Sequence, residues 1–382
     1  MKVDYIIRNG RVMDPLTGVD EVRDVAVCGS RIVDLGGEIA EPRWAEIDAA
    51  GCIVTPGLID FHTHLYHEGS GICIRPDFML PYGTTAAVDA GSAGCANMRA
   101  FFHTAADPSA VKIKAYMTVF SGGQIDGNII EDFSPSKFNE ALIRRVYEKF
   151  PHRILGLKIR ISKGVVEDAE PLRATVALAD KIGGGMGVCV HTTNSPVPAG
   201  EIADMLRPGD VFCHCFQGAG NTIVGSDGKI DPAVLAARER GVIFDAANGR
   251  GNFGFKAALA ALDAGFLPDI ISTDLTNDKF NMPYYCKNLP TLMSKYLAMG
   301  LDLMTVLRCV TSAPAKVMGM EGKIGTLKAG AYADIAIFKE KDIRVVHRDF
   351  QNDELVSDKL LVPQLTMASG EILYCSNEFY NG

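Results

Sequence analysis

Pro56-Gly57-Leu58-Ile59-Asp60-Phe61-His62-Thr63-His64 ends a short apolar run on two histidines one residue apart. On a strand, positions i and i+2 point to one side, so both imidazoles can reach one ion. The chain before this stretch reads as short strands and tight turns. Residues 4–8 alternate partly and meet Asn9-Gly10; 22–28 meet Gly29-Ser30, followed by 31–35. Asn-Gly beside an alternating run is a strong hairpin signal. The end of the chain, from about Gly325, is similar: 334–338 is a strand candidate, and 365–368, Ser369-Gly370 and 371–374 form a hairpin. Neither end block is large enough for a secure core alone. They are expected to pack together as one small β-sandwich.

Between the end blocks, short apolar runs alternate with helical stretches. The strand candidates are 58–61, 84–89, 113–120, 154–161, 187–191, 211–215, 242–246 and 270–273. Ser134-Pro135 before 137–150, and Asp231-Pro232 before 233–240, each combine a capping side chain with Pro at the first helical position. Strands alternating with helices imply parallel β-α units, and eight of them suit a closed barrel better than an open sheet. The expected fold is α/β: a (β/α)8 TIM barrel over 55–322, with the sandwich built from 1–54 and 323–382.

Composition narrows the function classes. The 382 residues are 47% hydrophobic and 22% charged, which excludes a mainly disordered chain. The net charge is −8 and no dense basic run occurs, so nucleic-acid binding is not expected. No apolar run approaches the ~18 residues of a membrane span, and residues 1–5 do not read as a secretory signal. Ten scattered cysteines suit a reduced cytoplasm, where Cys is a small buried hydrophobe. The expected partner is a small-molecule substrate, with room for a homo-oligomer.

In a barrel of this kind, chemistry sits at the C-terminal ends of the strands. His62 and His64 end the first strand, Lys158 lies within the fourth, His191 ends the fifth, His214 lies near the end of the sixth, and Asp274 ends the eighth. Neutral imidazole and carboxylate suit a borderline divalent metal such as zinc. Each residue also has a plainer use: a core histidine, a rim lysine, a helix-capping aspartate. Four histidines at matching strand ends are hard to explain that way. His67, His103, His152 and His347 fit no ligand slot. On alternation alone, Cys213 and Cys215 point opposite to His214, toward the helices, and Cys189 belongs to the barrel filling.

The order HxH, Lys, His, His, Asp on successive strands resembles the amidohydrolase superfamily, with residues 56–64 as its most specific signature here. Tyr82-Gly83-Thr84-Thr85, the run Asp89 to Gly94, and Gly156-Leu157-Lys158-Ile159-Arg160 are similar to a deacetylase branch often labelled dihydroorotase-like. The resemblance covers nearly the whole chain and implies two divalent metal ions, Zn2+ being the expected identity. Lys158 would carry a CO2-derived carbamate that bridges them. His62, His64 and Asp274 would hold one ion, His191 and His214 the other, and Asp274 would also be the catalytic proton shuttle. A neutral Lys158 is needed for CO2 addition, so metal charge and burial are expected to lower its pKa.

The resemblance implies removal of an acyl group, an acetyl above all, from a small N-acyl amino acid or O-acyl hydroxy acid. The alternative is a cyclic amidase of the dihydroorotase or hydantoinase type. Such enzymes often carry Arg two residues after the second histidine, where this chain has Tyr66; the branch often carries His in the seventh-strand motif, where it has Asn248. Gly249-Arg250-Gly251-Asn252-Phe253-Gly254 matches GxGxxG, which taken alone would suggest a dehydrogenase. As the seventh strand-helix turn, its helix-start N–H groups with Arg250 are instead a candidate carboxylate site. Arg250, Asn248 and Tyr66 are thus the candidate substrate contacts. A catalytically inactive binding protein on the same fold is the reading that the full ligand set argues against.

Overall fold

The computed structural model describes residues 2–34, 41–249, 251–278, 282 and 285–380. Its centre is a seven-stranded parallel sheet with strands in chain order: Leu58–Thr63, Thr84–Gly94, Lys112–Thr118, Ile154–Arg160, Gly187–His191, Val211–Cys213 and Ile243–Asp245. These strands are near-continuous apolar runs, as expected where both faces of a sheet are covered.

The eighth expected strand is not a regular one. Residues 270–275 instead bridge the two sheet edges, Ile270 beside Asp245 and Leu275 beside Thr63. The Asp60 carboxylate clamps this bridge to the first strand, accepting from Thr273 N at 3.0 Å and Thr273 Oγ1 at 2.6 Å. The segment thus closes the barrel with few ladder bonds and a side-chain clamp.

Helices cover the outside. Asp231 caps Pro232–Arg240, accepting from Ala233 N. The other expected cap differs. Pro135–Lys137 is only a 3-10 turn, the helix is Glu140–Lys149, and the Asn139 side chain caps it. Ser134 makes no cap bond, because its chain direction does not continue into the helix. Among the described residues no helix is long and apolar enough to cross a membrane.

The two ends of the chain form a four-stranded and a six-stranded sheet. Ile7, Val27, Ile47, Ile335, Ile337 and Leu365 share one apolar core distinct from the barrel's. Asp14 ties the ends together, accepting from Thr326 Oγ1 and Leu327 N. The strand Ile53–Pro56 pairs within the sandwich and leads straight into Leu58–Thr63, so one continuous run links the two bodies.

The C-terminal strands are far longer than their apolar segments suggest. Ile335–Arg348 and Glu354–Ala368 form one antiparallel hairpin. Its inner half lies in the sandwich. Its outer half reaches the barrel, where Leu361 N donates to Ser294 Oγ and Asp349 accepts from Phe255 N at the start of helix Phe255–Asp263.

Candidate metal centre

The strand ends bring six side chains to one buried spot. His62, His64, Lys158, His214 and Asp274 are all under a tenth exposed, and His191 is half-buried beside them. His62 and His64 come from one strand by alternation. His214 and Asp274 arrive differently. The sixth strand ends at Cys213, and His214 takes a left-handed backbone with φ +61°; Asp274 has φ +50° and Ala247 φ +36°. Left-handed non-glycine residues cost on the order of 1–2 kcal/mol each and cluster at functional sites. Here the strain has visible effects: His214 swings inward, and the carbonyl of Ala247 accepts from His214 Nδ1 at 2.8 Å.

That turn also sorts the cysteines. Cys213 faces the barrel interior by alternation with Val211, beside Cys189, their Sγ atoms 3.1 Å apart; past the turn at His214, Cys215 joins the helix-side core. The expectation that Cys213 faces the helices is corrected. Cys189 and Cys213 lie beneath Lys158, 3.5 and 3.9 Å from its Nζ. With His62 they form a second compact N,S donor set.

The geometry suits a small divalent ion. His62, His64 and Asp274 place one ligand atom each within 4.8 Å of the others. Asp274 Oδ1 stands 3.3 Å from His64 Nε2 and 3.7 Å from His62 Nε2. Ligands ~2.0–2.1 Å from a tetrahedral ion stand roughly 3.3–3.5 Å apart, so this set needs little rearrangement. On the other side His191 Nδ1 and His214 Nε2 meet at 2.8 Å, closer than two ligands of one ion, so one ring must move out slightly to share a cation. Lys158 Nζ stands 3.3 Å from His62 Nε2.

Outer contacts orient these ligands, as ligating histidines require. His62 Nδ1 meets Asp245 at 3.3 Å, and His64 Nδ1 meets Ser92 Oγ at 3.0 Å. Asp245 is fully buried, which pushes its carboxyl up to about 6 against the bonds from Ser272 and Ala247. Burial pulls His214 down to about 3 and His191 well below its ordinary value. Both rings therefore stay neutral, the form that ligates. Lys158 departs from expectation. Burial acts downward on it, but Cys189, Cys213, Asp274 and Asp245 act upward and win, so it lies above its ordinary value. A neutral Lys158 would need the charge of bound cations.

Two glycines make room. Gly91 has φ +102°, and a Cβ there would stand 2.6 Å from Lys158 Cγ. A Cβ on Gly249 would stand 1.9 Å from Asp274 Oδ2. This explains part of the GxGxxG run without a nucleotide.

The candidate substrate contacts fare differently. Tyr66 is buried edge-on against Phe101 in the helix-side core and does not line the cavity over the metal centre. Asn248 also turns away: its amide meets Ser272 O and Tyr296 Oη and accepts from Lys295 Nζ. Arg250 lies outside the described residues. At the candidate helix-start carboxylate site, Asp349 takes Phe255 N and Phe216 O takes Gly254 N. His67 pairs with Glu68 and does not line the cavity.

The cavity measures about 160 Å3, well under the ~300–1,000 Å3 typical of drug-sized sites, and so suits a small molecule. Besides the expected ligands it is lined by Arg160, Gln124, Asn252, Thr276 and Ile72. Asn252 Nδ2 donates to Asp274 Oδ2 at 2.7 Å. Arg160 was legible in principle, two residues past Lys158 on the same face. Gln124 and Asn252 sit on loops that carry no local signal for it.

Known proteins resemble this chain over most of its length. An Amidohydrolase family model matches residues 53–373. A deacetylase from Agrobacterium fabrum is 31% identical over 360 residues, covering 92% of this chain and 87% of the relative. A solved structure described as an adenine deaminase superimposes with TM-score 0.88 at 26% identity, covering 98% of this chain and all of that one. Another, described as a dihydroorotase, gives 0.87 at 29%, covering 97% and 98%. One architecture thus carries three named activities, and with the match spanning most of its length this chain belongs to the amidohydrolase family of hydrolases.

Proposed function

We propose that this protein is a binuclear, divalent-metal-dependent hydrolase that removes an acyl group, an acetyl above all, from a small N-acyl amino acid or O-acyl hydroxy acid. The observation that carries the reading is the convergence of His62, His64 and Asp274 within 4.8 Å of one another, with Lys158 Nζ against His62 and the His191–His214 pair beside His62. The 31% identity to a deacetylase over most of both chains supports the acyl group. The small cavity supports the small substrate. The ring-opening alternative has the dihydroorotase structural likeness in its favour, but no arginine stands at position 66.

His62, His64 and Asp274 would hold one ion and His191 and His214 the other, zinc being the expected metal. Lys158 would bridge them after adding CO2 through Nζ and releasing a proton. Bound divalent cations would supply polarisation of the scissile carbonyl and a lowered pKa for water. The protein's own part is then positional and acid–base. Asp274 faces the cavity, with Asn252 Nδ2 holding its Oδ2. It takes the proton from the attacking water and returns it to the leaving amine or alkoxide. Asp245 and Ser92 hold the two histidines of the first strand in register. The division into a sandwich of 1–54 plus 323–382 and a barrel of 55–322 belongs to the same proposal, supported by the separate apolar cores.

The test is metal analysis joined to a deacylation screen. Protein purified from zinc-supplemented medium should carry two ions per chain and release acetate from acetylated amino or hydroxy acids. Less than one ion per chain, or turnover of cyclic amides alone, rejects the reading.

A further inference from the structure

Arg160 ends the fourth barrel strand, two residues after Lys158 and opposite His191 in the ladder. It lines the cavity above the metal centre. One corner of its guanidinium is fixed: Nη1 donates to Glu131 Oε2 at 2.7 Å. Glu131 is almost wholly buried, and burial raises its carboxyl while the charge of Arg160 opposes that rise. A buried carboxylate on an irregular loop is costly unless it is paired. It orients one arginine, and only through Nη1.

Among the described residues the rest of the guanidinium has no acceptor. Nε is shielded from solvent and makes no hydrogen bond among the described residues. Arginine has five N–H donors in a rigid fork that matches a carboxylate. A solvent-shielded donor left without an acceptor is destabilising, and a bound acceptor would relieve it. None of the other uncharged cavity residues, such as Gln124, Asn252 and Thr276, can offer that charge complement.

We propose that Arg160, steered by Glu131, grips the carboxylate of the substrate and so determines that the enzyme prefers acylated acids over their neutral counterparts. This rests on the deacylase reading. Arg160 lines the cavity itself, whereas Phe255 N at the start of helix Phe255–Asp263 is occupied by Asp349. Glu131 is a positioning residue in this arrangement.

The experiment compares O-acetyl-lactate with O-acetyl-lactamide on the zinc-loaded enzyme. The amide keeps the shape of the group that Arg160 would hold but is neutral and replaces one acceptor oxygen by a donor NH2. The parent should prefer the acid, and Arg160→Met should cut that preference by about 10- to 100-fold, the range for hydrogen bonds to charged groups. The loss should appear mainly in KM. Arg160→Lys should recover part of the preference, and Glu131→Gln should raise KM for the acid. Binding of the product lactate, read by calorimetry on the loaded enzyme, should weaken in parallel. A parent that hydrolyses both compounds equally well overturns the Arg160 assignment and leaves the deacylase reading standing. So does Arg160→Met lowering both rates by one factor. A fully loaded parent that hydrolyses neither compound and binds no lactate overturns both.

Discussion

Asp274 has two duties in the proposed reaction, and substitution separates them. Asp274→Asn keeps the shape and can still offer an oxygen to a cation, but it cannot accept a proton. General acid–base groups typically contribute ~10²–10⁴ in rate. The variant should therefore keep much of its metal while kcat falls by roughly that factor; near-parent kcat with both ions bound would reduce Asp274 to a ligand. Lys158 has a different signature. Lys158→Ala removes the group proposed to bridge the two ions, so activity and metal content should fall together, with partial rescue by bicarbonate or a short carboxylic acid. Full activity in that variant excludes the bridge. The packing of Gly91 against Lys158 adds a further constraint at this scale: any side chain at 91 must displace the lysine.

The long C-terminal hairpin is the element that joins sandwich to barrel. Its tip carries Asp349, which accepts from Phe255 N and stands in for a local cap. Asp349→Ala should lower stability by ~1 kcal/mol, the usual worth of a cap, measured by denaturant unfolding. Near the tip His347 is buried, with Nε2 lacking a partner among the described residues. Burial, reinforced by Lys295, pulls it down to about 4. The unfolded value is ~6.5. Between these values the unfolded chain takes up a proton that the folded chain refuses, so stability is intact above ~6.5 and is lost as pH falls toward 4. The contribution lost by pH 5 is about 2 kcal/mol. His347→Leu should remove that part of the pH dependence, seen as a smaller stability difference between pH 7 and pH 5. An unchanged difference would show that His347 titrates normally.

For the whole molecule, closure of the barrel depends on a segment that is not a regular strand. Residues 270–275 touch both sheet edges through isolated bridges, and the Asp60–Thr273 clamp supplements them. Thr273→Val would remove the hydroxyl from a buried carboxylate and should cost about 1–3 kcal/mol. Because Asp274 is the next residue, metal affinity should weaken as well. A variant with parent stability and parent metal content would show that the bridges alone close the barrel.

The barrel, the sandwich and the six-residue cluster were readable because each rests on short-range rules. Apolar runs of strand length, separated by capped helices, imply parallel units, and alternation places residues i and i+2 together. His62 and His64 follow from that rule alone. His214 and Asp274 do not, because each takes a left-handed backbone just past the regular part of its strand; Cys213 keeps the alternation of Val211, and His214 is the residue that departs from it. Tyr66 and Asn248 lie one step from the site in sequence, yet face the helix layer and its buried tyrosine and lysine. Arg160 and Glu131 meet from a strand and a distant loop, a contact set by loop path and desolvation. The hairpin was underestimated because its outer half alternates charged residues with its apolar ones, and only docking onto the barrel shows what it covers. Local periodicity thus determined the architecture and the candidate ligand residues. Their final directions, and the pairing of Arg160 with Glu131, depended on contacts between residues far apart in the chain.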